Sequence, residues 1–150
     1  MNKAVIRTVR PHDLKEIDRV ERRCFGKETR FPLDALANMI ASSRVCGLVV
    51  EVNGIVRGFL FQSLPKELDQ SILLTLDIDP DFRRQGYASS LLTNAAEIAK
   101  SLGRKRFILQ VGTKNHAAIS LYQSRGYKKT GLLKDFYGEN GDAWEMELKL

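Results

Sequence analysis

The chain has 150 residues, 43% of them hydrophobic, which suits one domain spanning 1–150 built around one core. Its 24 Lys and Arg exceed its 18 Asp and Glu by a net charge of +6, which fits a nucleic-acid partner, an anionic cofactor or a solvated basic face alike. No apolar run approaches the roughly 18 residues of a membrane span. The start, Met1-Asn2-Lys3-Ala4-Val5-Ile6-Arg7, carries charge within its short apolar stretch and has no small-residue cleavage site, so a signal peptide is not expected and a cytoplasmic protein is. Cys24 and Cys46 stand far apart without a CxxC or Cys/His cluster. They read as reduced, partly buried thiols, and no metal site is expected.

Taken in order, Val5 to Val9 reads as a strand. Asp13 can cap a following helix, with Glu16 completing a capping box, and Leu14, Ile17, Val20 and Cys24 fall on one helical face. A polar loop, Gly26 to Arg30, leads to Pro32, which can open a second helix with Leu36, Met39 and Ile40 inward. Gly47–Val52 and Ile55–Gln62 flank Asn53-Gly54, a strong hairpin signal. Ile72–Ile78 is a further apolar run. After it the period changes: Ala88, Leu91, Leu92, Ala95, Ile98, Ala99 and Leu102 repeat at helical spacing, and Gly103 supplies the stop. Phe107–Val111 is a strand, and Asn115 can cap a short helix that ends at Gly126. Tyr127–Leu133 and Ala143–Leu150 close the chain as strands, the latter alternating apolar and charged residues. The order β-α-α-β-β-β-α-β-α-β-β describes an α/β domain, a mixed sheet with helices on its faces. Within it, Ile72–Ile78, the long helix and Phe107–Val111 form a β-α-β unit, and ligands gather at the carboxyl ends of such strands.

The segment Asp79-Pro80-Asp81-Phe82-Arg83-Arg84-Gln85-Gly86-Tyr87-Ala88 joins the strand to the long helix. The start of a helix offers unpaired N–H groups and a partial positive charge, so it favours phosphate. Gly86 lets the backbone approach an anion or take a positive φ, Ala88 keeps the first turn small, and Arg83 and Arg84 add charge at the rim. Neither GxxxxGK[ST] nor GxGxxG is present, so nucleotide hydrolysis and dinucleotide binding are disfavoured.

Arg83-Arg84-Gln85-Gly86-Tyr87-Ala88 resembles the Gln/Arg-x-x-Gly-x-Gly/Ala signature of the GNAT superfamily of N-acetyltransferases. Asn115-His116-Ala117-Ala118-Ile119-Ser120-Leu121-Tyr122-Gln123-Ser124-Arg125-Gly126-Tyr127 is similar to that superfamily's Asn-x-x-Ala-x-x-x-Tyr-x-x-x-Gly-Phe/Tyr block. The likeness covers nearly the whole chain and is greatest toward ribosomal-protein alanine and other protein N-terminal acetyltransferases. It implies a mixed, mostly antiparallel sheet of six to seven strands, splayed open at the cofactor site, with about four helices on its faces. It also implies acetyl-CoA as co-substrate and an amine acceptor, a protein N-terminal α-amine first. The pyrophosphate would rest on the backbone of Arg84, Gln85, Gly86, Tyr87 and Ala88, and the pantetheine along Leu76, Asp77 and Ile78. A backbone N–H of that strand could polarise the thioester carbonyl. Asn115 would touch the cofactor, cap its helix, or do both.

Tyr122 sits where the family's acidic tyrosine sits, and a phenol can protonate a departing thiolate. The base is where the sequence departs: the family glutamate on the strand before the Asn block is here Gln110, which cannot accept a proton. Asp77 and Glu28 are candidates to act instead, and Gln110 can still position water or the acceptor. By analogy, Phe25, Glu28 and Phe31 in one loop and Phe136 and Tyr137 before the last strand would form the acceptor groove. His12 and His116 read as solvated or capping residues. The competing readings are an acetyltransferase for a small amine or a lysine side chain, a catalytically silent acetyl-CoA-binding protein, and a basic nucleic-acid module. The last is weakened because the basic residues are scattered. No membrane partner is expected, and the chain would act as a monomer or homodimer.

Overall fold

A computed structural model describes residues 3–150; Met1 and Asn2, on which the reading of the chain's start partly rests, lie outside the described residues. The elements follow the expected order: β1 (Ala4–Thr8), α1 (Leu14–Cys24), α2 (Leu33–Ala41), β2 (Val45–Val52), β3 (Ile55–Ser63), β4 (Gln70–Ile78), α3 (Tyr87–Ser101), β5 (Arg106–Gly112), α4 (His116–Ser124), β6 (Lys128–Leu133) and β7 (Ala143–Lys149). Among the described residues no helix is long and apolar enough to cross a membrane. Asn53 and Gly54 take φ of 53° and 82°, the two left-handed residues that a tight hairpin turn between β2 and β3 requires.

Two local expectations need correction. Asp13 does not cap α1. Its own backbone is already helical (φ −76°, ψ −10°), and its carboxylate accepts from the Arg10 N–H at 2.7 Å and from Arg7 at 2.8 and 2.9 Å. The charged partner outcompetes the helix end, and Asp13 closes a 3-10 turn over Pro11–Asp13 instead. Pro32 stands one position earlier than expected, as the extended residue ahead of α2 rather than its first helical one.

The seven strands form one sheet in the order β1-β2-β3-β4-β5-β7-β6. Every neighbouring pair is antiparallel except β4 and β5. Helices α1 and α2 bury Ile17, Val20 and Leu36 against Val49, Phe59 and Phe61 on one face. Helix α3 buries Leu91, Leu92 and Ala95, and α4 buries Ile119 and Tyr122, against Leu60, Leu109 and Met146 on the other. Apolar side chains covered on both faces hold the sheet rigid, which is what a precise site needs.

The β4–β5 pairing positions everything else. The two strands meet only over Gln70–Ile72 and Arg106–Ile108, then part. From there β4 stays bonded to β3 as far as Ile78, and β5 to β7 as far as Gly112. The register of β4 on β3 runs from Gln62↔Leu73 to Phe61↔Thr75, which leaves Leu74 as an extra residue. A bulge bends its strand and sharpens its twist. Here it falls where β4 leaves β5, so the facing edges diverge as a V. Arg104 ties the closed end by donating to the carbonyls of Pro65, Leu68 and Gln70 in the β3–β4 connection and at the start of β4.

Close packing behind the V has a consequence at Gly58 of β3. A Cβ there would lie 2.6 Å from Ile78 Cδ1 and 2.9 Å from the carbonyl oxygen of Asp77. Gly58→Ala is expected to destabilise the fold by about 1–3 kcal/mol, read as a lower urea midpoint, because the neighbour that must yield is backbone.

Candidate active site

Asp79 organises the turn between β4 and α3. It is 1% exposed and accepts from the Asp81 N–H at 3.1 Å, Arg23 Nε at 3.1 Å, and Arg19 and Arg57 Nη1 at 3.4 Å each. Burial pushes its carboxyl up, but the Asp81 N–H and the Arg23 and Arg19 guanidinium groups outweigh burial and hold it below the ordinary aspartate range. Arg57 also stacks on Phe82 at 4.4 Å. This carboxylate therefore pins α1 and β3 to the turn.

Beyond it the backbone turns left-handed twice, at Arg84 (φ 62°) and Gly86 (φ 83°), and α3 begins at Tyr87. Among the described residues no N–H from Arg84 to Ala88 donates to a protein acceptor outside the helix, and a Cβ at Gly86 would meet nothing within 4 Å. These are open donors at a helix start, in chemistry and placement suited to a diphosphate. Arg84, Gln85 and Gly86 are exposed there, with Tyr87 and Ala88 half-buried. Arg83 is exposed as well; its Nε donates to the Ile78 carbonyl at 3.1 Å and its Nη2 points to Cys24 Sγ at 3.5 Å, which ties it to the end of β4.

On the open edge of β4, Leu76 packs toward the α3 face while Asp77 faces α1. Asp77 is buried at 2% exposure, which rules out a solvent-facing strand residue. Its Oδ1 accepts from Thr75 Oγ1 at 2.9 Å, and Glu21 of α1 lies within hydrogen-bonding reach of its carboxyl. Burial first, and Glu21 next, push Asp77 up to about 9, against the opposite pull of Thr75 and Arg83. From across the V comes Tyr122. Its ring is buried against Tyr127 at 5.8 Å, and it is the Tyr127 hydroxyl behind it that is buried without a protein hydrogen-bond partner among the described residues. Burial, then the proximity of Tyr137 and Asp77, pushes that phenol up to about 12.

Tyr137 lies on the β5 side. Its hydroxyl donates to the Gln110 carbonyl at 3.5 Å and its ring meets Phe136 edge-on at 4.9 Å. Phe136 and Tyr137 are exposed, as is Phe25 in the α1–α2 loop. Phe31 is half-buried and its N–H donates to Glu21 Oε2 at 2.8 Å. The structure thus brings together Asp77, Tyr122, Tyr137 and the backbone of Gln110. It does not bring Glu28, which is exposed in the loop between α1 and α2. Asn115 caps α4, accepting from the Ala118 N–H at 3.2 Å. His12 and His116 are exposed, and both cysteines are free thiols, Cys24 pushed up to about 11 chiefly by burial. No group of three His, Cys, Asp or Glu capable of holding a metal occurs among the described residues.

Glu21 is the residue that reading along the chain missed, although its signal is present. Leu14, Ile17, Val20, Glu21 and Cys24 share the inward stripe of α1, so one of five core-facing positions carries a charge.

The acetyltransferase (GNAT) family model matches residues 13–127. A Bacillus subtilis protein named as a candidate ribosomal protein bS18-alanine N-acetyltransferase is 27% identical over 143 residues, 93% of this chain and 91% of that one. The Escherichia coli ribosomal protein bS18-alanine N-acetyltransferase is 33% identical over 70 residues, 47% of each chain. The crystal structure of the E. coli ribosomal-protein-S18-alanine N-acetyltransferase superposes with a TM-score of 0.88 at 24% identity, covering 98% of this chain and 94% of that one. The PaiA N-acetyltransferase of Thermoplasma acidophilum, solved with coenzyme A, gives 0.84 at 22% identity over 99% of both chains.

Replacing Asp79 by Ala leaves three guanidinium groups facing one another, and a loss of about 2–3 kcal/mol in unfolding free energy is expected. The sign follows from a depressed folded-state pKa: the contribution is complete above about pH 4 and fades as the pH falls further. Urea titrations at pH 7 and pH 3 should therefore show the gap between wild type and Asp79→Ala closing in acid.

Proposed function

Since the chain belongs to the acetyltransferase (GNAT) family and is an N-acetyltransferase that uses acetyl-CoA, we propose that its acceptor is a protein N-terminal α-amine. The observation that carries this reading is the likeness, over 93% of the chain, to a relative named as a candidate ribosomal protein bS18-alanine N-acetyltransferase. The exposed aromatic pair Phe136–Tyr137, whose Tyr137 hydroxyl reaches the Gln110 carbonyl of β5, supports it, because such a pair suits a short extended peptide end. Phe31 and Glu28 belong to the same loop, Phe31 as a partly buried wall and Glu28 as an outer charge.

The acceptor chemistry agrees. An α-amine has a pKa near 8 and a lysine near 10.4, so at neutral pH the former is about two to three powers of ten richer in free base. A site whose β5 position carries Gln110 in place of a carboxylate suits the less demanding amine.

Bound acetyl-CoA supplies an electrophilic thioester carbonyl and a thiolate leaving group. The N–H groups of Arg84 to Ala88 would hold its diphosphate, with Asn115 at the next β–α junction. The open edge of Leu76, Asp77 and Ile78 would pair with its pantetheine arm and turn a backbone N–H toward the carbonyl oxygen. Tyr122 remains protonated throughout the neutral range and would donate from its hydroxyl to the sulfur. Asp77 would take the proton of the amine, and Gln110 would orient the acceptor from β5.

Two measurements test this. In an acetyl-transfer assay, peptides with free first residues are expected to react at least ~10-fold faster than blocked lysine peptides or polyamines. A panel that prefers lysine or polyamine overturns the α-amine reading. Tyr122→Phe is expected to lower kcat by about 10²–10³-fold with coenzyme A affinity by calorimetry unchanged; undiminished turnover would remove Tyr122 as proton donor.

A further inference from the structure

Two buried carboxyl groups face each other where α1 packs on β4. Glu21 is 1% exposed and Asp77 2%. Each has one oxygen with a protein donor: Glu21 Oε2 accepts from the Phe31 N–H at 2.8 Å, and Asp77 Oδ1 from Thr75 Oγ1 at 2.9 Å. The other oxygens, Glu21 Oε1 and Asp77 Oδ2, meet no donor. Ionised carboxylate oxygens only accept, so two carboxyl groups within reach of each other bond only through a proton. Two adjacent negative charges in a dry site also repel, so the doubly ionised pair is disfavoured.

The remaining groups around the pair leave that balance in place. Cys24 of α1 is pushed up to about 11 and Tyr122 of α4 to about 12, so both are neutral near pH 7. Tyr137 lies beyond Tyr122 and is likewise raised by burial. Thr75 is uncharged. The cation acting on Asp77 is Arg83, which is exposed and occupied with the Ile78 carbonyl and Cys24.

We propose that Glu21 and Asp77 hold one proton between them, and that Asp77, once that proton has left, accepts the proton of the acceptor ammonium. Glu21 acts through Asp77 and is a positioning residue, with one oxygen fixing the α1–α2 loop through Phe31 and the other raising the proton affinity of its partner. The inference rests on the acetyl-transfer reading above. It supplies a base on β4, across the V from Gln110, whose amide cannot serve. The protons balance. The ammonium proton goes to the pair and then to solvent. The freed nitrogen bonds to the acetyl carbon as the carbon–sulfur bond breaks, sulfur takes the Tyr122 proton, and Tyr122 regains one from the new amide nitrogen.

The test titrates the carboxyl carbons of the ligand-free protein by ¹³C NMR and records pH–rate profiles for wild type, Glu21→Gln and Asp77→Asn. The amine used is whichever the acceptor panel prefers. In wild type the Asp77 carbon is expected to titrate near 9. In Glu21→Gln that titration and the ascending limb of kcat should both move down by roughly one pH unit or more, because a neutral neighbour no longer repels the Asp77 anion. Asp77→Asn should lose about 10²-fold or more in kcat while still binding coenzyme A in calorimetry, which separates a lost base from a lost fold. An Asp77 that titrates in the ordinary aspartate range, a limb that stays fixed while the titration moves, or an Asp77→Asn enzyme of full activity overturns the proposal. Failure of the α-amine reading alone would look different: the panel would favour another amine, with both pH shifts intact.

Discussion

Every functional feature depends on one interruption: two parallel strands that stop bonding to each other after three residues. β4 and β5 are joined over Gln70–Ile72 and Arg106–Ile108, and the bulge at Leu74 bends β4 away just beyond. An unbonded strand edge inside a sheet is costly unless something else satisfies it. A slender amide-bearing ligand arm can do so, which makes the V a recognition surface as well as a gap. The antiparallel ladders on either side, β3–β4 and β5–β7, hold the two arms of the V in place.

Charge is distributed around this opening by kind. At the helix start the useful positive potential comes from backbone donors, with exposed Arg84 beside them. The other arginines nearby, Arg19, Arg23 and Arg57, converge on buried Asp79 and are structural. Arg83 secures the end of β4. The net charge of the chain therefore overstates the cation density available to an anionic ligand, because much of it is spent within the protein. On the opposite side of β4 the site is dry and acidic. There Asp77 and Glu21 are buried, and the cation that acts on Asp77 is the exposed Arg83. One carboxylate, Asp79, is stabilised as an anion by its partners, while the other, two residues earlier in the chain, is pressed toward its neutral form by burial and by Glu21.

The elements and the cradle were legible along the chain because they rest on local rules. The hairpin at Asn53-Gly54 needs two left-handed residues, α3 shows its helical stripe, and Gly86 takes the positive φ that its place before a helix suggested. Asp13 misled because the same residue type that caps helices also binds arginine, and Arg7 lies close in the fold. The contacts of Arg83 were not legible for a similar reason: a side chain of that length reaches several partners, and the sequence does not rank them. Glu21 escaped notice although it lies on the inward stripe of α1, because a buried carboxyl makes sense only with its neighbour in view.

The sequence by itself determined the order of the elements, the α/β class, the donor-rich turn before α3 and the residue types available for acid–base work. These follow from periodicity, glycine conformation and side-chain chemistry, all of which act over a few residues. Only the tertiary structure decided which of those residues meet. It set Asp77 against Glu21, 56 positions away in the chain, and Tyr122 within electrostatic reach of both Asp77 and Tyr137, while Glu28 stayed in solvent. The physical reason is that proton affinity is a property of an environment. Burial and neighbouring charge, supplied by separate elements packed across a split sheet, make one aspartate an anion and another an acid.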